Sequence, residues 1–233
     1  MSDIEIPLPD IGVQQKYVDI YKAMVSSQQS YERGLEDLKL VCDGYIEDLR
    51  RKMPCEPIGP YIAEQTVRND GLKIQRVQGV NSSGKFGETR ADTNGLDFSN
   101  YKIVKPGQFA YNPSRINLGS IALLNEEACI VSPMYIVFEV IVPQKLLPEY
   151  LMLWFERKEF QRSTLFYAMG SVRDTFSFDL MREVTIPIPD IEVQKAIAEV
   201  YSVYNMRKRI NEQLKAQIKD ICPILIKGSL EEE

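Results

Sequence analysis

Residues 186–201 read IPIPDIEVQKAIAEVY, and residues 6–21 read IPLPDIGVQQKYVDIY. At an offset of 180, eight of the sixteen positions are identical, and the match continues weakly through Glu32 and Glu212, Lys39 and Lys219, Cys42 and Cys222, and Ile46 and Ile226. Two copies so far apart are no solenoid; they bracket one insert. Each copy has the grammar of an extended segment breaking into a long helix. Pro7 and Pro9, or Pro187 and Pro189, hold the residues before them extended, and Asp10 or Asp190 is placed as an N-cap.

Past the caps, apolar positions recur in alternating steps of four and three. One series is Val13, Tyr17, Ile20, Met24, Ser27, Tyr31, Gly34, Leu38, Val41 and Tyr45; the other is Val193, Ile197, Val200, Tyr204, Arg207, Asn211, Leu214, Ile218, Ile221 and Leu225. This is the spacing of a coiled-coil seam with a polar middle. The opposite faces are rich in charge, so each helix calls for a narrow partner: the other arm or a second copy of the chain. Ile20, Met24, Tyr31, Leu38 and Val41 with Val200, Tyr204, Leu214, Ile218 and Ile221 are the expected helix or dimer interface.

Between the arms the pattern changes. Pro54, Pro57 and Pro60 cannot continue a helix and suggest a linker. From there short β-like runs follow: Leu72 to Val77, Tyr101 to Val104, Gln108 to Tyr111, Ser120 to Leu124, Cys129 to Val131 and Tyr135 to Val142. Pro148 to Phe160 reads as one amphipathic helix. The expected fold class is α+β, a mixed α/β domain over residues 54–189 flanked by two long coiled-coil-forming helices in 1–53 and 190–233.

Composition narrows the chemistry. Among 233 residues there is no histidine, which removes Ser-His-Asp and Cys-His relays, His-bearing zinc sites and an imidazole acid/base. Cys42, Cys55, Cys129 and Cys222 show no CxxC spacing and read as reduced thiols of a cytoplasmic protein. No signal peptide or membrane span is expected, since the apolar stretch from Cys129 to Val142 is interrupted by Pro133 and Glu139. No P-loop, GxGxxG or metal-ligand motif is evident; no catalytic residue, metal or cofactor is expected.

Three loops concentrate groups suited to nucleic acid. The first holds Asn81, Ser82, Ser83 and Lys85; the second holds Tyr111, Asn112, Ser114, Arg115 and Asn117; the third holds Ser171 and Arg173. Arginine pairs with guanine, asparagine with adenine, and hydroxyls or lysine with phosphate. The net charge of -5 argues against bulk basicity, but it is an average. The insert from Pro54 to Arg182 has 14 Lys+Arg against 14 Asp+Glu, residues 1–53 have 7 against 10, and residues 183–233 have 7 against 9. The deficit belongs to the arms.

Together these stretches resemble the specificity subunit of type I restriction-modification systems. The resemblance is carried by Ile186 to Gln194, its earlier copy at Ile6 to Gln14, Gly107 to Gly119 (GQFAYNPSRINLG), Val131 to Tyr135, Leu147 to Leu151 and Gly170 to Arg173. It implies a target-recognition domain, a non-catalytic role, and double-stranded DNA, methyltransferase subunits and the restriction subunit as partners. Family members read domain, helix, domain, helix, whereas this chain reads helix, domain, helix. It is expected to be a half-length form, natural or truncated, that restores a two-part target as a homodimer on inverted half-sites. The competing expectation is a regulatory protein that occupies the methyltransferase in place of a full-length specificity subunit without reading DNA.

Overall fold

The computed structural model describes residues 8–89, 95–168 and 175–231. They form two compact units, residues Met1–Tyr45 with Glu199–Glu233, and residues Ile46–Ala198.

The first unit is a pair of helices drawn from α1 (Ile11–Lys52) and α5 (Ile191–Glu231). Helix α1 starts as its sequence predicts: the Asp10 carboxylate accepts the Gly12 N–H at 2.8 Å, and the Asp10 carbonyl accepts from Gln14. The helices are antiparallel, because Gln28 meets Asn211 while Tyr17, earlier in α1, lies over Gly228, later in α5. Gln28 and Asn211 are both buried and joined by an Nε2–H···Oδ1 bond of 3.0 Å; beside them Lys215 meets Glu32 at 2.5 Å. Lys215 and the Gln28 amide hold the Glu32 carboxyl below the usual carboxylate range.

The seam of α1 departs from the sequence series. Met24, Tyr31 and Leu38 are half-buried as expected, but they alternate with buried Gln28, Leu35 and Cys42 rather than with Ser27, Gly34 and Val41. Ile20 and Val41 are 41% and 49% exposed and lie off the seam between the arms. The α5 series holds better: Val200, Tyr204, Leu214, Ile218 and Ile221 are all half-buried. Arg207, also in that series, is exposed. Helix α5 runs on through exposed Pro223, whose missing N–H leaves the Lys219 carbonyl to solvent.

The second unit is built on a four-stranded antiparallel sheet in the order β2 (Ile62–Gln65), β9 (Ile136–Val140), β6 (Gln108–Tyr111), β7 (Ile121–Leu123). Successive side chains of a strand point to opposite faces, and here both faces are covered. Ala110, Ala122 and Val137 pack against Val80, Val104, Cys129, Val131 and Tyr135. These come from two further pairs, β3 (Gln78–Val80) with β4 (Phe86–Glu88) and β5 (Lys102–Val104) with β8 (Cys129–Val131), and from the turn after β8. On the other face Phe109 stacks on Phe138 with centroids 4.7 Å apart, and Phe155, Phe160, Phe176 and Phe178 close around them from the helical side. Glu139 fastens three strands, accepting from Gln65 of β2 and Gln108 of β6.

Three sequence expectations change. Leu72 to Val77 is not a strand: Asn69 donates to the Ile74 carbonyl and accepts its N–H, Leu72 turns with φ of 50°, and the strand begins at Gln78. The helix expected from Pro148 to Phe160 is two, α2 (Pro148–Phe155) and α3 (Lys158–Ala168), with α4 (Phe178–Arg182) following. The proline-spaced stretch is not a linker, because β1 (Cys55–Pro57) pairs with β10 (Thr185–Pro187). That pairing brings the two ends of the insert together.

The repeated glutamine has a mechanical role in both copies. Gln14 Nε2 donates to the Pro9 carbonyl at 2.7 Å, and Gln194 Nε2 donates to the equivalent Pro189 carbonyl at 2.8 Å, folding the proline segment onto the first turn. Gln194, fully buried, also donates to the Lys145 carbonyl and accepts from the Leu147 N–H. At the end of α1, Glu47 receives Arg157, whose guanidinium lies over the Trp154 ring and holds the Glu47 carboxyl below its ordinary range.

Two outcomes follow for stability. Gln194→Leu strands three backbone groups and is expected to cost about 2–4 kcal/mol in urea unfolding. Phe138→Ala, which opens the aromatic cluster, is expected to cost about 3–5 kcal/mol by the same measurement; a loss under 1 kcal/mol in either would contradict this packing.

Candidate nucleic-acid interface

Strand β3 turns into β4 through residues 81–85. The Asn81 side-chain oxygen accepts the Ser83 N–H, the Ser83 hydroxyl and the Lys85 N–H, so Asn81 and Ser83 are committed to shaping the turn. Gly84, with φ of +69°, provides the left-handed step that a side chain would strain. Ser82 and Lys85 are left exposed at the rim.

Strand β6 leads to β7 through the second loop. Here Asn112 is buried, its side-chain oxygen accepting the Ser114 N–H and its carbonyl the Arg115 N–H. A short 3-10 turn, Ile116–Leu118, follows, with Ile116 buried beneath it and Gly119 closing it at φ of +85°. Ser114 and Arg115 are exposed and Asn117 is half-buried.

Tyr111 does not reach this surface. It is 0% exposed, its ring packed edge-on to Phe138 and Phe176, and burial drives its phenol far above the ordinary range. Tyr111 and Asn112 therefore support the loop from inside rather than contacting a ligand. The alternation of β6 explains the tyrosine: it shares a face with Phe109, and that face is the aromatic one.

The two loops lie side by side with their backbones in contact. A Cβ on Gly119 would stand 2.8 Å from the Ser82 carbonyl, and one on Gly84 would stand 3.3 Å from the Ile121 carbonyl. The Ser120 hydroxyl donates to the Val80 carbonyl at 2.8 Å, closing the junction. One rim thus presents Ser82 and Lys85 beside Ser114 and Arg115. The third loop's Ser171 and Arg173 lie outside the described residues, but the segment returning from it is tied here, since the Phe176 N–H bonds the Pro113 carbonyl.

Sequence reasoning missed the contribution of α3. Its Gln161 amide would sit 3.0 Å from a Cβ on Gly119, and the helix packs on the 3-10 turn while leaving Arg162, Leu165 and Phe166 exposed. No glycine or proline marks the break after Phe155 in the sequence; the structure shows it, with Lys158–Ala168 packed against the second loop. Among the described residues no group of His, Cys, Asp and Glu side chains is placed to hold a metal ion, and no helix is long and apolar enough to cross a membrane.

The fold has solved counterparts. The HsdS subunit from Thermoanaerobacter tengcongensis matches with a TM-score of 0.53 and 15% identity over 97% of this chain and 60% of its own. The type I restriction-modification S subunit from M. genitalium matches with a TM-score of 0.57 and 10% identity over 95% of this chain and 60% of its own. A chain from a structure describing complex assembly and conformational transition of the type I R-M system matches with a TM-score of 0.51 and 13% identity over 97% and 60%. The chain thus spans 60% of the length of each of these. No curated relative matches it in sequence. The family model for the type I restriction modification DNA specificity domain matches residues 60–220, most of the recognition unit and much of the second arm, and on that match the chain belongs to this family.

Proposed function

We propose that the chain is a non-catalytic, sequence-reading subunit that directs type I methyltransferase and restriction subunits to double-stranded DNA in the cytoplasm. The observation that carries this reading is the close approach of the first two loops at Gly119 and Ser82, with Lys85 of one loop and Arg115 of the other left exposed. Arg115 projects from the start of a 3-10 turn anchored by buried Ile116 and is the preferred base reader. Lys85, Ser82 and Ser114 suit phosphate contacts. Arg173 is a second base reader and Ser171 a phosphate contact in the same scheme.

A neutral recognition unit makes few phosphate contacts, so DNA binding by the chain alone is modest and the methyltransferase subunits supply more of the grip. The two-part target is met by a homodimer whose recognition units read inverted half-sites, with the arms setting the spacing and presenting the docking surface for methyltransferase.

Selection from random DNA with the methyltransferase subunits present tests this reading. Arg115→Ala is expected to cost about 1–3 kcal/mol and relax preference at one base pair, while Lys85→Ala weakens binding evenly and lowers the salt slope by about 1. Binding to the methyltransferase with no base preference would instead mark a regulator that occupies the place of a longer specificity subunit.

A further inference from the structure

The arm pair has two unlike flanks. Number the α1 seam as heptad positions a (Gln28, Leu35, Cys42) and d (Met24, Tyr31, Leu38), and that of α5 as a (Tyr204, Asn211, Ile218) and d (Val200, Leu214, Ile221). Because the helices are antiparallel, the e positions of both fall on one flank and the g positions of both on the other. The Glu32–Lys215 ion pair joins e to e and fixes this assignment. The e flank carries charge over its middle, with Glu32 and Lys39 on α1 and Lys208 and Lys215 on α5, while Val18, Val25, Tyr201 and Cys222 stand on either side of these.

The g flank carries no charge over the same span. On α1 it runs Ile20, Ser27, Gly34, Val41; on α5 it runs Val203, Ile210, Gln217, Ile224. Counting from the contact of Tyr17 with Gly228, Val41 lies level with Val203, Gly34 with Ile210, and Ile20 with Ile224. The face is open, with Ile210 37% and Ile224 67% exposed.

Two glycines sharpen the picture. Gly34 on this flank and Gly44 beside it lie inside α1, where glycine is disfavoured, and a Cβ at either would meet nothing within 4 Å. Among the described residues nothing calls for glycine there, unlike Gly228, whose Cβ would press on the Tyr17 hydroxyl at 3.1 Å and its ring at 3.2 Å. Small residues at such positions let another backbone approach closely.

In keeping with the recognition role proposed above, we infer that this g flank is where a second copy of the chain packs, pairing two arm hairpins into a four-helix bundle. An uncharged apolar face is complementary to itself under a twofold axis, whereas the charged flank would set like charges against one another unless finely matched. From Ile20 to Val41 the strip is about 32 Å long at 1.5 Å per residue. At two helices' width, about 20 Å, it buries about 1,200 Å² over both copies, which reaches the lower range of specific interfaces.

The test measures mass by sedimentation at micromolar concentration and selects DNA with the same samples. The chain is expected at twice its own mass. Ile210→Glu and Gly34→Gln should each weaken association by about tenfold or more, with circular dichroism showing helix content kept or, for Gly34→Gln, raised. Val18→Glu, on the opposite flank, should associate as the unaltered chain does. A monomeric unaltered chain, or Ile210→Glu and Gly34→Gln variants that dimerise undiminished, would overturn the interface. So would an Ile210→Glu variant that keeps its mass and releases only the methyltransferase. Inverted symmetry lost from the selected DNA while one half-site persists supports the interface. A dimer sensitive to Ile210→Glu that selects no sequence supports it too, while removing the recognition reading.

Discussion

The pairing of Gln28 with Asn211 fixes the arms. Two buried amides meet in one register, and sliding either helix by a heptad would leave Asn211 without this partner and Gln28 with only Glu32 of its own helix, at about 1–3 kcal/mol for the orphaned amide. The Glu32–Lys215 pair alongside adds direction more than strength, since both groups are exposed and screened. Once that register is set, the roles of the remaining surfaces follow. One flank carries charge over its middle, the other carries none, and Gly34 falls on the uncharged one with Gly44 beside it.

In the recognition unit the corresponding constraint is a sheet buried on both faces. Strands β6 and β9 carry small aliphatic side chains on one side and Phe109, Tyr111 and Phe138 on the other, so neither can slip by a residue without exchanging the two cores. The loops inherit this rigidity. Asn112, which is buried, and Asn81 through its side-chain oxygen hold their own loops in shape, and Gly84 and Gly119 let the two backbones approach. The side chains left at the rim are few, and they rest on a fixed platform.

Several features were legible before folding because local chemistry specifies them. The proline segments, the Asp10 cap and the strands at Gln108–Tyr111 and Cys129–Val131 depend on a residue and its near neighbours. Misreadings occurred where distant partners decide. The Asn69 side chain turned an apparent strand at Leu72 to Val77 into a loop, and β10 recruited a proline-spaced stretch as a strand. Tyr111 was read as a surface residue because its loop is polar, although its position in β6 directs it inward.

The arms show the division most clearly. By itself the sequence determined two long helices, the Asp10 cap, the apolar series along each and the acidic balance that leaves the insert neutral. It did not separate the stripe that packs inside the chain from the one that stays open, since in α1 the apolar series took Met24, Tyr31 and Leu38 from the first and Ile20 and Val41 from the second. Periodicity reports only that a residue lies on one side of a helix. Which part of that side is covered depends on where the partner's side chains arrive, and the tertiary structure decided this by placing Asn211 opposite Gln28 rather than opposite Ser27.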